Sequence, residues 1–210
     1  MHSALSSADP FPVTEIPRLG GGTITLGRPE TADWQLVFVY RGLHCPICKQ
    51  YLTDLEPRLS EFAELGIEVV AVSADPEAKA RKFRADQGLS VPIGYDLSIE
   101  QMKTLGLYIS DPRSPEETDR PFSEPGLFLI NPQGNLHMVD ISNAPFLRPD
   151  LEKLPSRISA RTEIALHSAR ELIYAVVFLV LAWTQPLGLL AWAFGALLVA
   201  EVVITMADWL

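Results

Sequence analysis

The stretch Tyr40–Leu52, YRGLHCPICKQYL, contains both cysteines of the chain, Cys45 and Cys48. The apolar run before it, Leu36–Tyr40, is typical of a strand buried on both faces of a sheet. Pro46 stands where the first residue of a helix would be, since its fixed φ and missing N–H are tolerated there. Apolar residues then recur at three- and four-residue spacing: Ile47, Tyr51, Leu52, Leu55, Leu59 and Phe62. The sequence therefore predicts a strand, a cysteine pair and a helix in direct succession.

The rest of the chain extends this pattern. The first helix should kink at Pro57 and end at Gly66. The other expected elements are a strand at Thr23–Gly27, a buried strand at Ile67–Asp75, a helix at Pro76–Gly88, a short strand at Val91–Asp96, a short helix at Ser98–Gly106, a Pro-rich loop at Asp111–Gly126 and a β-hairpin turning at Pro132–Gly134. Alternation of strands and helices predicts a parallel core sheet with right-handed crossovers, and the hairpin adds antiparallel strands at one edge.

Composition narrows the possible functions. The net charge is −9, and residues 153–210 contain as many acidic as basic residues, so the whole excess lies in residues 1–152. This charge argues against a nucleic-acid-binding face, which needs clustered Lys and Arg. The N-terminus has neither a basic segment nor an apolar segment, so a cleaved signal peptide is not expected.

The cysteine pair has three possible interpretations. A structural zinc site needs four ligands, and besides this pair the chain offers only scattered histidines: His2, His44, His137 and His167. Two inert buried cysteines are also possible, because free Cys packs well in protein cores. The position favours a redox pair, since Cys45 would face the unpaired N–H groups at a helix N-terminus, which favour the reactive thiolate. Cys48 would lie one turn later, close enough to form a disulfide.

Four segments together resemble a known family: VFVYRGLHCPICKQYLTDLEP, IEVVAVSADPEAKARKF, VPIGYDLSIEQMKTLGL and EPGLFLINPQGNLHMVDIS. Their order and spacing are similar to those of the AhpC/TSA-type, peroxiredoxin-like proteins of the thioredoxin superfamily, over about residues 12–154. The resemblance implies an α/β, thioredoxin-like fold with a central mixed sheet flanked by helices. It also implies that Cys45 is the attacking thiol and Cys48 the resolving one. Pro125 matches the proline that faces the cysteine pair in cis in such folds.

The sequence departs from the family pattern P-x-x-x-[ST]-x-x-C. Phe38 and Gly42 occupy the proline and hydroxyl positions, so the hydroxyl that helps to position a peroxide is missing. The variant Gly42→Thr would test whether that hydroxyl limits activity. The family also has an arginine near the thiolate, for which the candidates are Arg41, Arg120 and Arg148; each could instead form a surface ion pair. His44 could stabilise the thiolate or point away from it.

The sequence of the C-terminal part predicts a membrane segment. Residues 172–200 contain no charge, and an apolar run of about 18 or more residues is a candidate membrane span. The interruption TQPLG favours two helices, at about 163–183 and 187–207. Glu201 and Asp208 share a face of the second helix and could form a functional site, pair with Arg170 or reach the interface. The natural chain could continue beyond Leu210.

These observations predict the domain organisation and the orientation of the redox domain at the membrane. We expect a flexible lead-in at 1–22, a thioredoxin-like domain at 23–154, and a membrane segment at 155–210. Basic residues lie before the uncharged run at residues 172–200, namely Lys153, Arg157, Arg161 and Arg170, so the redox domain should face the cytoplasm of a bacterial-type inner membrane.

The leading hypothesis is a membrane-tethered thiol oxidoreductase that reduces peroxides or disulfides. An external thiol reductant of the thioredoxin or glutathione type would restore it, with no bound cofactor and no metal. The alternatives are a disulfide reductase without peroxidase activity and a non-catalytic membrane redox sensor.

Overall fold

The computed structural model describes residues 5–159, 173, 174, 176 and 177. The chain divides into two compact units, Met1–Pro155 and Ser156–Leu210. The expected membrane helices at about 163–183 and 187–207 lie almost wholly outside the described residues, as do Arg170, Glu201 and Asp208. Within the described part of the chain, no helix has both the length and the apolar character that a membrane crossing requires.

A five-stranded mixed sheet forms the centre of the first unit. Its strands, in spatial order, are β5 (Ile93–Gly94), β4 (Ile67–Val72), β3 (Trp34–Val39), β8 (Gly126–Ile130) and β9 (Leu136–Ile141). Strands β3, β4 and β5 run parallel, whereas β8 and β9 are antiparallel to their neighbours. The expected central mixed sheet is thus confirmed, and the nearly uninterrupted burial of β3 follows from its central position.

Four helices connect these strands: α1 (Pro46–Leu55), α2 (Leu59–Glu64), α3 (Glu77–Gln87) and α4 (Ile99–Thr104). The expected kink at Pro57 is present as a 3-10 segment, Glu56–Arg58, between α1 and α2. Helix α3 ends at Gly88, whose φ of 62° is left-handed and therefore suits glycine. Helix α4 begins with a capping box in which Ser98 and Gln101 satisfy each other's backbone N–H groups.

The expectation of a flexible lead-in at residues 1–22 is wrong for the part that the structure describes. Strand β1 (Thr14–Pro17) pairs antiparallel with β2 (Thr23–Leu26). Phe11 and Ile16 are buried in the hydrophobic core, where the Phe11 ring lies 5.5 Å from that of Phe128. Burial of these apolar side chains offsets the entropy cost of ordering the segment.

The Pro-rich loop also contains more structure than expected. Strand β7 (Phe122–Ser123) pairs antiparallel with β6 (Ile109–Ser110). Both are two-residue strands, which are too short for alternation of polar and apolar residues to reveal them. The pairing fixes the segment directly before Pro125.

Candidate active site

The cysteine pair lies beyond the carboxyl end of β3, at the start of α1. Cys45 is the N-cap residue of α1, and its Sγ accepts a hydrogen bond of 3.2 Å from the backbone N–H of Cys48. The predicted position of Cys45 at a helix N-terminus is therefore confirmed. The two sulfurs lie at bonding distance, with the Cα atoms 5.3 Å apart. Cys45 is 1% exposed and Cys48 is fully buried, so this disulfide is covered by protein.

Arg148 contacts the second cysteine. Its Nη2 lies 3.0 Å from Sγ of Cys48, and its Nε donates to the backbone oxygen of Pro145 at 2.9 Å. The guanidinium carbon lies 4.9 Å from the centre of the Tyr51 ring, within cation–π range. Burial lowers the pKa of Arg148 to about 10, which still leaves the side chain charged at neutral pH. Of the three candidate arginines, the structure brings this one to a sulfur.

Arg41 lies in a buried ion-pair network. Its Nε is 3.2 Å from a carboxylate oxygen of Glu124, and its Nη2 is 3.6 Å from one of Glu117. Its guanidinium also lies 4.6 Å from the centre of the Phe122 ring. The charge of Arg41 is therefore largely neutralised by carboxylates. The third candidate, Arg120, forms half-exposed ion pairs with Asp96 and Asp119.

His44 packs its ring on Phe122, with 4.5 Å between ring centres. Burial, followed by the positive charge of Arg41, lowers the pKa of His44 to about 4. The side chain is therefore uncharged at neutral pH and supplies no positive charge to a thiolate. His44 also lines an open depression of about 470 Å³, together with Leu43, Lys79 and residues 115–119.

Pro125 lies beside the Arg148 contact, but its peptide bond is trans. Pro125, Tyr51 and Arg148 line one small cavity of about 10 Å³. The described residues contain no cis peptide bond, so the cis geometry implied by the family resemblance is wrong here. The trans bond is compatible with the local pairing, because Glu124 N–H donates to Tyr108 O at 2.8 Å and Pro125 O accepts from Ser142 N–H at 3.0 Å. A trans X–Pro bond is also favoured by about 0.5–1 kcal/mol.

Gly42 and Asp75 form a contact that the sequence reasoning missed. Gly42 has a φ of +129°, and an added Cβ would lie 2.7 Å from both carboxylate oxygens of Asp75. Asp75 is 3% exposed and accepts a hydrogen bond of 2.6 Å from the backbone N–H of Leu43. Burial raises the pKa of Asp75. Its carboxylate thus holds the loop that leads to Cys45 and occupies the space beside Gly42.

The sequence did contain signals for two of the missed residues. Asp75 follows β4, the parallel neighbour of β3, so it emerges at the same edge of the sheet as Cys45. Tyr51 lies three residues after Cys48 and therefore on the same face of α1. Metal binding gains no support, since within the described part of the chain no three His, Cys, Asp or Glu side chains form a potential metal site.

Comparisons with known proteins agree with this geometry. The thiol-disulfide oxidoreductase ResA of Halalkalibacterium halodurans is 30% identical over 99 residues, which is 47% of this chain and 48% of ResA. The chain thus matches about half the length of that relative. Alkyl hydroperoxide reductase C of Escherichia coli K12 is 22% identical over 134 residues, or 64% of this chain and 69% of the relative.

A solved structure supports the fold. Enterococcus faecalis AhpC superposes with a TM-score of 0.64 at 17% identity, covering 79% of this chain and 97% of that one. The family model described as the AhpC/TSA family matches residues 8–139. The match includes both cysteines and all five strands of the central sheet up to Val139. Because it covers more than half of the 210 residues, the chain belongs to the AhpC/TSA family.

Proposed function

We propose that the protein is a thiol-disulfide oxidoreductase that cycles between the Cys45–Cys48 disulfide and the dithiol. One observation carries the proposal: Cys45 caps α1 with its Sγ on the N–H of Cys48, while Cys48 Sγ is within bonding distance. A helix N-terminus stabilises a thiolate, and a neighbouring thiol one turn later can displace whatever the first has bound. Membership of the AhpC/TSA family supports the same chemistry.

The proposed cycle begins with the reduced pair. The Cys45 thiolate attacks one sulfur of a substrate disulfide, forming a mixed disulfide and releasing the other substrate sulfur as a thiolate. Cys48, as a thiolate, then attacks Cys45 Sγ, which forms the Cys45–Cys48 bond and releases the second substrate thiolate. The substrate gains two electrons and the pair loses two. One external dithiol of the thioredoxin type, or two thiols of the glutathione type, returns them through the reverse exchange and leaves as a disulfide.

A peroxide is the second candidate substrate. The relative from E. coli is named as an alkyl hydroperoxide reductase, which favours this candidate. In that case Cys45 would attack the peroxide oxygen, release water or an alcohol and become a sulfenic acid, which Cys48 would convert to the disulfide with loss of water. One feature favours the disulfide instead, because Gly42 supplies no hydroxyl at the position where the family pattern has one.

Turnover of the full chain tests the proposal. The reduced protein is supplied with dithiothreitol and either a protein disulfide or hydrogen peroxide, and substrate loss is followed over many equivalents. We expect catalytic disulfide reduction, slower peroxide loss, and neither in Cys45→Ser. The matched variant Cys48→Ser should trap the mixed disulfide at Cys45. A single stoichiometric oxidation without turnover would contradict catalysis and favour the redox sensor.

We also propose that the segment after residue 159 tethers this domain to a membrane, with the domain on the cytoplasmic side. The uncharged run at residues 172–200 supports the tether, and the basic residues that precede it support the orientation. A cytoplasmic location would keep the cysteine pair reduced between turnovers, since that compartment maintains thiols.

A further inference from the structure

Cys48 Sγ is contacted directly by a positively charged group, whereas the donor to Cys45 Sγ is a neutral backbone N–H. Cys45 Sγ receives a backbone N–H, whereas Cys48 Sγ receives the Arg148 guanidinium at 3.0 Å. The other partners of that guanidinium are neutral, namely the carbonyl of Pro145 and the ring of Tyr51. Among residues 5–159 no carboxylate forms an ion pair with Arg148, in contrast to Arg41 and its two glutamates. The carboxylate of Glu124 acts on Arg148 only through space, so the guanidinium remains in direct contact with the sulfur.

Such a charge has a large effect at a buried sulfur. Cys48 is fully buried, and burial disfavours the charged form of a thiol. A cation within about 4–6 Å favours the charged form, and screening by solvent is weak at a buried site. We propose that Arg148 acts more strongly on Cys48, which it contacts, than on Cys45, and that it stabilises the Cys48 thiolate so that the resolving step proceeds from an ionised sulfur.

The position of Arg148 depends on Phe38, which replaces the proline of the family pattern. Phe38, at the position of the family proline, packs its ring against Tyr51 with 6.0 Å between centres. Tyr51 in turn holds the segment that contains Arg148, because its hydroxyl donates to the backbone oxygen of Pro149 at 2.9 Å. Its ring then supports the guanidinium. A continuous contact path runs from Phe38 through Tyr51 and Arg148 to Cys48.

The inference concerns the second step of the proposed exchange and rests on that function. In that step the Cys48 thiolate attacks Cys45 Sγ, the Cys45–Cys48 bond forms, and the bond from Cys45 to the substrate sulfur breaks. The electron pair of that bond leaves with the substrate thiolate. Arg148 neither gains nor loses a proton. It contacts a reacting atom, Cys48 Sγ, and stabilises the negative charge there before the attack.

Thiolate titration of single-cysteine proteins tests the assignment without reference to turnover. The full chain is prepared as Cys45→Ser, which leaves Cys48, and as Cys48→Ser, which leaves Cys45, and thiolate absorbance near 240 nm is followed against pH. In Cys45→Ser we expect Arg148→Met to raise the midpoint of titration by about one pH unit or more, a tenfold loss of thiolate at a fixed pH. In Cys48→Ser the same change should shift the midpoint much less. Arg148→Lys should restore most of the loss, and Arg120→Met should change neither midpoint.

Two results would overturn the inference: equal shifts at the two cysteines, or a larger shift at Cys45. If the single-cysteine proteins fail to fold, the equilibrium between disulfide and dithiol of the intact cysteine pair in a glutathione redox buffer provides a second measurement. Loss of the Arg148 charge should then favour the disulfide about tenfold, or about 30 mV for this two-electron couple. An unchanged equilibrium would contradict the inference. If Arg148→Met shifts the titration midpoint of Cys48 but the wild-type protein shows no turnover, the proposed function is refuted and the assignment of Arg148 stands.

Discussion

Substitution of Gly42 by alanine should destabilise the protein and displace Asp75. Gly42 has a φ of +129°, a conformation that side-chain-bearing residues rarely adopt. Its Cα also packs directly against the carboxylate of Asp75, since an added Cβ would lie 2.7 Å from both oxygens. Those oxygens cannot retreat without cost, because one of them accepts the Leu43 N–H at 2.6 Å. The substitution therefore combines backbone strain with the loss of a hydrogen bond.

The two contributions can be estimated separately. Holding a non-glycine residue in such a backbone conformation costs about 1–3 kcal/mol. Leaving the Leu43 N–H without its acceptor costs about 1–3 kcal/mol more. The free energy of unfolding of Gly42→Ala should thus fall by about 2–6 kcal/mol, a large fraction of the stability of a typical domain.

Urea unfolding of the wild-type protein and four variants separates the contributions. Gly21 is the matched control, since its φ is +102° and an added Cβ would have no atom within 4 Å; Gly21→Ala should cost only the backbone strain. In an Asp75→Ala background, Gly42→Ala should likewise cost only the strain, because the clash is gone. The reasoning is refuted if Gly42→Ala costs no more than Gly21→Ala, or costs the same with and without Asp75.

The close contact between Gly42 and Asp75 also limits what the variant Gly42→Thr can show. The variant was expected to restore the hydroxyl of the family pattern and so to test whether its absence limits peroxide reduction. In the structure, however, the threonine side chain would collide with Asp75 and disturb the loop that leads to Cys45. A change in peroxide rate in this variant would report loop displacement together with the hydroxyl.

Three further outcomes are expected. After reduction, alkylation at pH 7 should label Cys45 faster than Cys48, because Cys48 is a turn inside α1 and covered by Arg148; equal rates would contradict the assigned roles. His44 has its pKa lowered in the folded protein, so the unfolded chain binds more protons between about pH 4 and 6.5 and stability should fall on acidification through that window. This dependence should lower the free energy of unfolding by about 1 kcal/mol between pH 7 and pH 5 after solvent screening, and His44→Phe should lose it. An equal difference between pH 7 and pH 5 in the two proteins, measured by chemical unfolding, would contradict the reasoning. If residues 172–200 anchor the domain as proposed, protease should digest it in inverted membrane vesicles and spare it in spheroplasts, and a soluble full-length protein would contradict the anchor.

The elements that the sequence predicted are those with strong local signals. The apolar run before the cysteines specifies β3, and Pro46, Pro57 and Gly66 mark where the helical segments begin, change and end. Strand β1 lacked such a signal, because it has four residues, ends in a proline and shows a single large apolar side chain, Ile16. Its order comes from tertiary burial, which a local pattern does not encode.

The candidate site was predicted only where it depends on neighbours in sequence. The position of Cys45 at a helix N-terminus follows from the residues beside it. The choice among three arginines depends on which loop reaches the sulfur, and Arg148 is 100 residues from Cys48. The backbone pairing on either side of the trans bond at Pro125 likewise involves Tyr108 and Ser142, which are remote in sequence.

That separation of 100 residues has a consequence for the protein during its synthesis. The ribosome makes Cys45 and Cys48 together with β3, whereas Arg148 follows only after β8 and β9. Until then the nascent chain carries a dithiol that lacks the guanidinium and also lacks the central sheet on which α1 packs. During that interval the pair has the chemistry of an unprotected CxxC peptide, open to any oxidant or thiol in the compartment. Arg148 can contact Cys48 only after the last part of the domain has left the ribosome.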